Sequence, residues 1–198
     1  MDTTIFFSAR RTFFVFVCCI TGGLATAEET DVWKPADGPL PTRWTDSVTP
    51  DNAWTEYPRP QMTRRRWKNL NGLWQYAITK REAAEPATME GDILVPYPVE
   101  SALSGVMRRL GYTQRLWYRH MFKVPDSFRD GKLLLHFGAV DWEATVWIND
   151  RKVGTHRGGY DPFSLDITEF LVPGERQKIV VSVWDPTDTG YQPRGKQV

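Results

Sequence analysis

Short runs in which apolar and polar side chains alternate dominate this sequence from residue 70 onward. A period of two places one set of side chains on the core face of a β-strand and the other set towards water. The pattern predicts six strands, whose inward faces carry Trp74, Tyr76 and Ile78; Leu116, Tyr118, Phe122 and Val124; Leu133, Leu135 and Phe137; Ala144, Val146 and Ile148; Phe163, Leu165 and Ile167; and Ile179, Val181 and Val183. We therefore expect an all-β fold.

Turn-forming pairs separate these runs, at Asp130-Gly131, Asn149-Asp150, Gly158-Gly159 and Pro173-Gly174. Their spacing is typical of a sandwich rather than of strand-helix-strand units. The sequence predicts no long helix, only a single turn at residues 99–103, and it shows no repeat of fixed period. Two packed antiparallel sheets, a β-sandwich of the jelly-roll type, are the expected architecture.

The first 27 residues have the pattern of a signal peptide. Arg10 and Arg11 precede an apolar run at residues 12–20, and Ala25-Thr26-Ala27 supplies small residues for cleavage before Glu28. The run is too short to span a bilayer. We expect an exported chain, periplasmic or secreted, that has no membrane contact after cleavage; a twin-arginine signal or a buried N-terminal strand are the alternatives.

Removal of residues 1–27 changes the composition of the chain. Both cysteines, Cys18 and Cys19, leave with that segment, so the remaining 171 residues must fold without a disulfide. The segment also takes two of the 25 basic and one of the 24 acidic residues, which leaves 23 of each. A balanced charge favours no polyanionic partner, so we expect neither nucleic acid nor an anionic membrane surface to bind.

Residues 28–61 differ in composition from the rest. They are rich in Pro, Asp and Thr and follow neither the helical nor the strand period, which predicts an extended arm or linker. Trp44, Trp54 and Tyr57 are expected to pin this arm to the domain. The β-sandwich is assigned to residues 62–198.

Few residues suggest chemistry by themselves. His120, His136 and His156 lie 16 and 20 residues apart without neighbouring cysteines, so neither a metal site nor a cofactor is predicted. Asp185 and Asp188 in the stretch DPTD could form a proline turn or a pair of catalytic carboxylates, and the sequence leaves both interpretations open.

Residues 138–163 carry a resemblance to a known family. Residues 138–149 read GAVDWEATVWIN, and residues 153–163 read VGTHRGGYDPF. LNGLW at 70–74, VP at 95–96, WYR at 117–119 and DIT at 166–168 occur in the expected order around them. The chain resembles the N-terminal sugar-binding domain of family 2 glycoside hydrolases, the group of β-galactosidases and β-glucuronidases, which implies a galactose-binding-domain-like jelly roll.

The resemblance also implies a function and a candidate site. We expect a carbohydrate-binding or scaffold domain of an exported glycosidase, with β-glycosides as ligands. Five residues at strand ends and loops are candidate sugar contacts, because carboxylates and amides bind hydroxyls while aromatic faces cover pyranose rings. These are Asp141, Trp142, His156, Tyr160 and Asp161.

In the family, hydrolysis belongs to a later (β/α)8 barrel, and its retaining mechanism uses two glutamates. None of them can be named in this chain, which we expect to be inactive alone and to depend on a barrel in cis or from an adjacent polypeptide. A fragment or split gene could lack the last strands of the sandwich. The alternatives are a stand-alone, lectin-like module and a structural or protein-contact sandwich.

Overall fold

Eight strands lie in the part of the chain that the structure, a computed structural model, describes: residues 33–128, 130–174, 176–186 and 189. They are β1 Gly72–Lys80, β2 Gly91–Val95, β3 Gln114–Phe122, β4 Leu134–Phe137, β5 Glu143–Ile148, β6 Arg151–Arg157, β7 Phe163–Asp166 and β8 Gln177–Trp184. The predicted signal peptide, Asp188 and residues 191–198 fall outside the described residues.

The strands form two antiparallel sheets. Six of them make one sheet in the order β2-β1-β3-β8-β5-β6, and β4 pairs with β7 in the other. Short 3₁₀ helices are the helical elements of the described residues, at Thr45–Ser47, Pro60–Met62, Ala102–Ser104, Asp126–Phe128 and Thr168–Phe170. No described helix has the length and apolar character needed to cross a membrane. The all-β prediction is confirmed.

The core lies between the two sheets. Ile148, Ile179 and Val181 of the large sheet share it with Leu135 and Ile167, which lie in or beside the small sheet. All six predicted inward faces contribute to this core. In β8, however, the second face does not point to water, because Val180 and Ser182 on that face are also buried.

A tight turn at Asn149 and Asp150 joins β5 to β6, as predicted. Both residues have positive φ, 50° and 65°, which is the conformation of a type I′ hairpin turn and one that Asn and Asp tolerate well. The Asn149 side chain fixes the turn: its Nδ2 donates to the Phe170 carbonyl at 2.8 Å, and its Oδ1 accepts from the Lys178 amide at 2.9 Å. The turn is therefore tied to the start of β8.

The arm is attached differently from the prediction. The indoles of Trp44 and Trp54 are 60% and 65% exposed, so they do not pin it. The arm is held instead by Trp33, whose Nε1 donates to the Ser104 carbonyl at 3.4 Å, by the buried Ala53, and by the backbone carbonyl of Trp54, which accepts from two asparagines before β1. Tyr57 does make the expected kind of contact, with its ring centroid 4.7 Å from that of Trp67.

Candidate functional site

The turn after β6 brings the start of β5 and the end of β6 together. Gly158, at φ 131°, donates its amide hydrogen to the Trp142 carbonyl at 3.0 Å. A Cβ atom placed on Gly159 would lie 2.6 Å from Cγ of Asp141, closer than non-bonded atoms approach. Two glycines are thus required here, one for its backbone angle and the other for space.

His156 and Asp161 flank the same turn. The His156 ring stacks on Phe163 with centroids 4.2 Å apart and an angle of 14°. A Cβ on Gly158 would lie 3.6 Å from His156 Nε2 and 3.9 Å from Asp161 Oδ2. His156 Nε2 is enclosed and has no hydrogen-bond partner among the described residues.

Four of the five predicted contact residues therefore meet around the Gly158-Gly159 turn: Asp141, Trp142, His156 and Asp161. The fifth, Tyr160, follows in the same loop, but its side chain is 79% exposed and projects away from this packing. The turn thus brings two carboxylates and an imidazole, which are groups that recognise hydroxyls, to one loop. The half-buried Trp142 indole contacts Trp184 and approaches Arg157, whereas the His156 ring stacks on Phe163.

Sequence reasoning missed the second half of this surface. Trp184, the last residue of β8, meets Trp142 edge to face with centroids 6.1 Å apart. Arg81 lies over Trp184, its Cζ 3.5 Å from the ring centroid, and Trp184 Nε1 donates to the Tyr112 carbonyl at 2.7 Å. Alternation along β8 predicts that Trp184 lies on the face of the strand opposite to that of the core-facing Val183. It could not show that the start of β5 lies beside Trp184.

An ion network continues the surface across the sheet. Glu143 accepts from Arg157 at 2.8 Å and lies 3.6 Å from Arg115, while Arg157 also approaches the Trp142 ring, with Cζ 5.8 Å from the centroid. The Glu143 side chain is only 15% exposed, so the two guanidinium groups stabilise a largely desolvated carboxylate. Arg157 is thereby held against Trp142.

The carboxylates of Asp141 and Asp185 lie close enough for their charges to interact. Partial burial raises the pKa of Asp141 above its usual range, and the nearby charge of Asp185 raises it further. The sequence could not predict this approach, because it depends on the register that sets the start of β5 beside the end of β8. The charge of the Asp185 side chain thus acts on Asp141.

The three histidines lie in separate places. His120 stacks on Trp74 at 5.0 Å and His136 on Trp67 at 5.7 Å, while His156 stacks on Phe163. The described residues contain no group of three His, Cys, Asp or Glu side chains arranged to hold a metal ion. Each histidine is thus part of an aromatic contact.

Comparison with protein families assigns the part of the chain that contains this turn to a family. Residues 92–192 match the family model described as "Glycosyl hydrolases family 2, sugar binding domain". The chain belongs to this family. The match contains the Gly158-Gly159 turn and all five predicted contact residues, and it confirms the resemblance found in the sequence.

Individual relatives agree with this assignment. The family 2 chain is 27% identical over 133 residues to a β-glucuronidase of Paenibacillus borealis, covering 64% of this chain and 22% of the relative. It is 41% identical over 64 residues to a β-galactosidase of Thermoanaerobacter pseudethanolicus, covering 32% of this chain and 9% of the relative. It thus spans about a fifth or less of the length of these two relatives.

A solved structure shares the fold. The β-glucuronidase of Lactobacillus rhamnosus superposes with a TM-score of 0.51 and 28% identity, over 60% of this chain and 21% of that one. This family 2 domain therefore shares its antiparallel sandwich fold with a known β-glucuronidase.

Proposed function

We propose that this chain is the N-terminal carbohydrate-binding or scaffold domain of an exported family 2 glycosidase of the β-galactosidase and β-glucuronidase kind. The observation that carries the proposal is the family match over residues 92–192, which contains Trp142 and Trp184. Together with Arg81, Glu143 and Arg157 these residues make up what we call the Trp142 surface. In this proposal, hydrolysis belongs to a barrel whose two carboxylates lie outside these 198 residues.

The way this surface is built supports the scaffold role. At the end of the large sheet Trp142 meets Trp184 edge to face, Arg81 lies over Trp184, and Glu143 binds Arg157 near Trp142. Half-buried aromatics with held cations are typical of surfaces that contact another protein element. We propose that this end of the sandwich buttresses the barrel and closes one side of its sugar pocket.

A stand-alone sugar-binding module is the second candidate. Asp141, His156 and Asp161 lie around the Gly158-Gly159 turn, which is bonded to the Trp142 carbonyl, and the exposed Tyr160 follows in the same loop. Together they could contact a monosaccharide without a barrel.

Two measurements on the full chain test these roles. Incubation with p-nitrophenyl β-D-galactoside and β-D-glucuronide is expected to release no nitrophenol. Turnover that a single Asp or Glu substitution abolishes would contradict the proposal that hydrolysis belongs to a separate barrel. Calorimetric titration with methyl galactoside, glucuronide and mannoside then separates the candidates. Binding that Trp142→Ala removes and Trp44→Ala leaves intact supports the module, whereas a folded chain that binds none of them supports the scaffold.

A further inference from the structure

A cavity of about 280 Å³ lies at the other end of the large sheet. The cavity is open to solvent on one side, and it is lined by the residues before β1, the residues at the end of β3 and the residue before β8. Its lining residues are Lys68, Asn69, Leu70, Asn71, His120, Met121, Phe122, Lys123 and Arg176. Arg176 and Trp184 stand eight residues apart, at opposite ends of β8, so the cavity lies roughly 26 Å from the Trp142 surface.

The charged side chains that line this cavity are all cationic. Lys68, Lys123 and Arg176 line it together with the imidazole of His120, and the described lining residues include no carboxylate. The charges of Arg176 and Lys68 reach the ring, since they add to the effect of burial in lowering the pKa of His120. Clustered cations repel one another, and a bound anion would relieve that repulsion.

Backbone contacts hold two of these cations in place. Lys68 Nζ donates to the Lys123 carbonyl at 2.8 Å, and Arg176 Nη2 donates to the Met121 carbonyl at 3.3 Å. An ammonium has three N–H donors and a guanidinium has five, so each group keeps donors for a ligand. The cations are thus oriented before any anion arrives, which lowers the entropic cost of binding.

An exposed tryptophan is attached to the cavity wall. Asn69 and Asn71 both donate their Nδ2 hydrogens to the Trp54 carbonyl, at 2.7 and 3.0 Å. Trp54 has a φ of 50°, and its indole is 65% exposed. Two residues of the cavity wall thus hold the Trp54 backbone, and an exposed aromatic ring on a residue held there suits a sugar ring that carries a negative group.

We propose that this cavity binds the carboxylate or sulfate group of an acidic saccharide, with Trp54 contacting the adjoining ring. In this proposal Lys68 and Arg176 supply the charge-assisted hydrogen bonds, while Asn69 and Asn71 hold the Trp54 backbone next to the cavity wall. The inference does not depend on the proposed function, because it uses neither the barrel nor the Trp142 surface.

Calorimetric titration of the full chain with trigalacturonate, cellotriose and sodium sulfate tests the proposal. Trigalacturonate is expected to bind at least about tenfold more tightly than neutral cellotriose. Lys68→Gln and Arg176→Gln are each expected to weaken its binding several-fold, and the double variant at least about tenfold. Lys152→Gln, which removes the same charge from the exposed side of edge strand β6, is the matched control and should change nothing.

A tryptophan variant separates a saccharide from a free anion. Trp54→Ala should weaken trigalacturonate and leave sulfate unchanged, since an isolated anion needs no aromatic face. Absence of trigalacturonate binding to the folded wild type would overturn the proposal, as would an equal loss in Lys152→Gln. The saccharide assignment would be overturned if sulfate bound as tightly as trigalacturonate and if Trp54→Ala changed neither affinity. Circular dichroism of each variant establishes folding.

Discussion

The indoles of Trp142 and Trp184 meet edge to face, with ring centroids 6.1 Å apart and planes at 84°. The contact joins the start of β5 to the end of β8, whose terminal residues Glu143 and Trp184 face each other in the sheet. Edge-to-face pairs of this kind stabilise by about 1 kcal/mol beyond the area that they bury. The pair is therefore both part of the proposed contact surface and part of the fold.

Trp184→Ala should lower the free energy of unfolding by about 2–3 kcal/mol, less than a fully buried Trp because the side chain is half-buried. The variant loses the contact with Trp142 and the stacked Arg81. Urea unfolding followed by circular dichroism measures the change. Trp44→Ala, at a site 60% exposed, is the control and should stay within about 0.5 kcal/mol of wild type; an equal effect of the two would contradict the packing described.

Gly159→Ala should destabilise the fold by about 1–3 kcal/mol, because the new methyl would lie 2.6 Å from Asp141 Cγ. Gly138→Ala is a matched control, since nothing lies within 4 Å of its added methyl. Adding Asp141→Ala to Gly159→Ala should recover part of the loss by removing Cγ and the carboxylate oxygens. Additive effects in that double-mutant cycle would show that the two residues do not touch.

Sequence alternation predicted six of the eight described strands, including β8, which buries both faces. It did not predict β2 or β6. β2 contains two adjacent buried residues, Ile93 and Leu94, so no period of two is visible. β6 is an edge strand whose apolar residue is Val153, and a half-exposed edge needs no apolar stripe. These strands depend on their neighbours rather than on their own pattern.

The candidate site was predicted in part for a related reason. Asp141, Trp142, His156 and Asp161 belong to local motifs, which a sequence displays directly. Trp184 and Asp185 reach the same surface only through the pairing of β5 with β8, a contact between residues about forty positions apart. Sequence distance hides such partners, because register is decided by the whole sheet.

His120 should make stability depend on pH. Burial, with the charges of Arg176 and Lys68, lowers its pKa below 6.5, although a hydrogen bond to the Leu73 backbone opposes this. The unfolded chain therefore takes up the proton first as the pH falls. Stability is fully present above about pH 6.5 and declines below it, until the folded protein also becomes protonated.

Urea unfolding at several pH values between about 5 and 8 measures this dependence. His120→Gln should flatten the profile in that range. If His120→Gln retained the full slope, the dependence would belong to other groups.

The proposed export of this chain predicts a defined mature N-terminus. Cleavage after Ala27 would leave Glu28 as the first residue and remove both Cys18 and Cys19, so the mature protein should react with no thiol reagent. Intact mass and N-terminal sequencing of protein recovered from the periplasm or medium measure this directly. Ala27→Asp should block processing, because the cleavage site needs small residues, while Glu29→Asp should leave it unchanged. Recovery of the unprocessed chain with two free thiols from the cytoplasm alone would contradict export and would restore the alternative of a buried N-terminal strand.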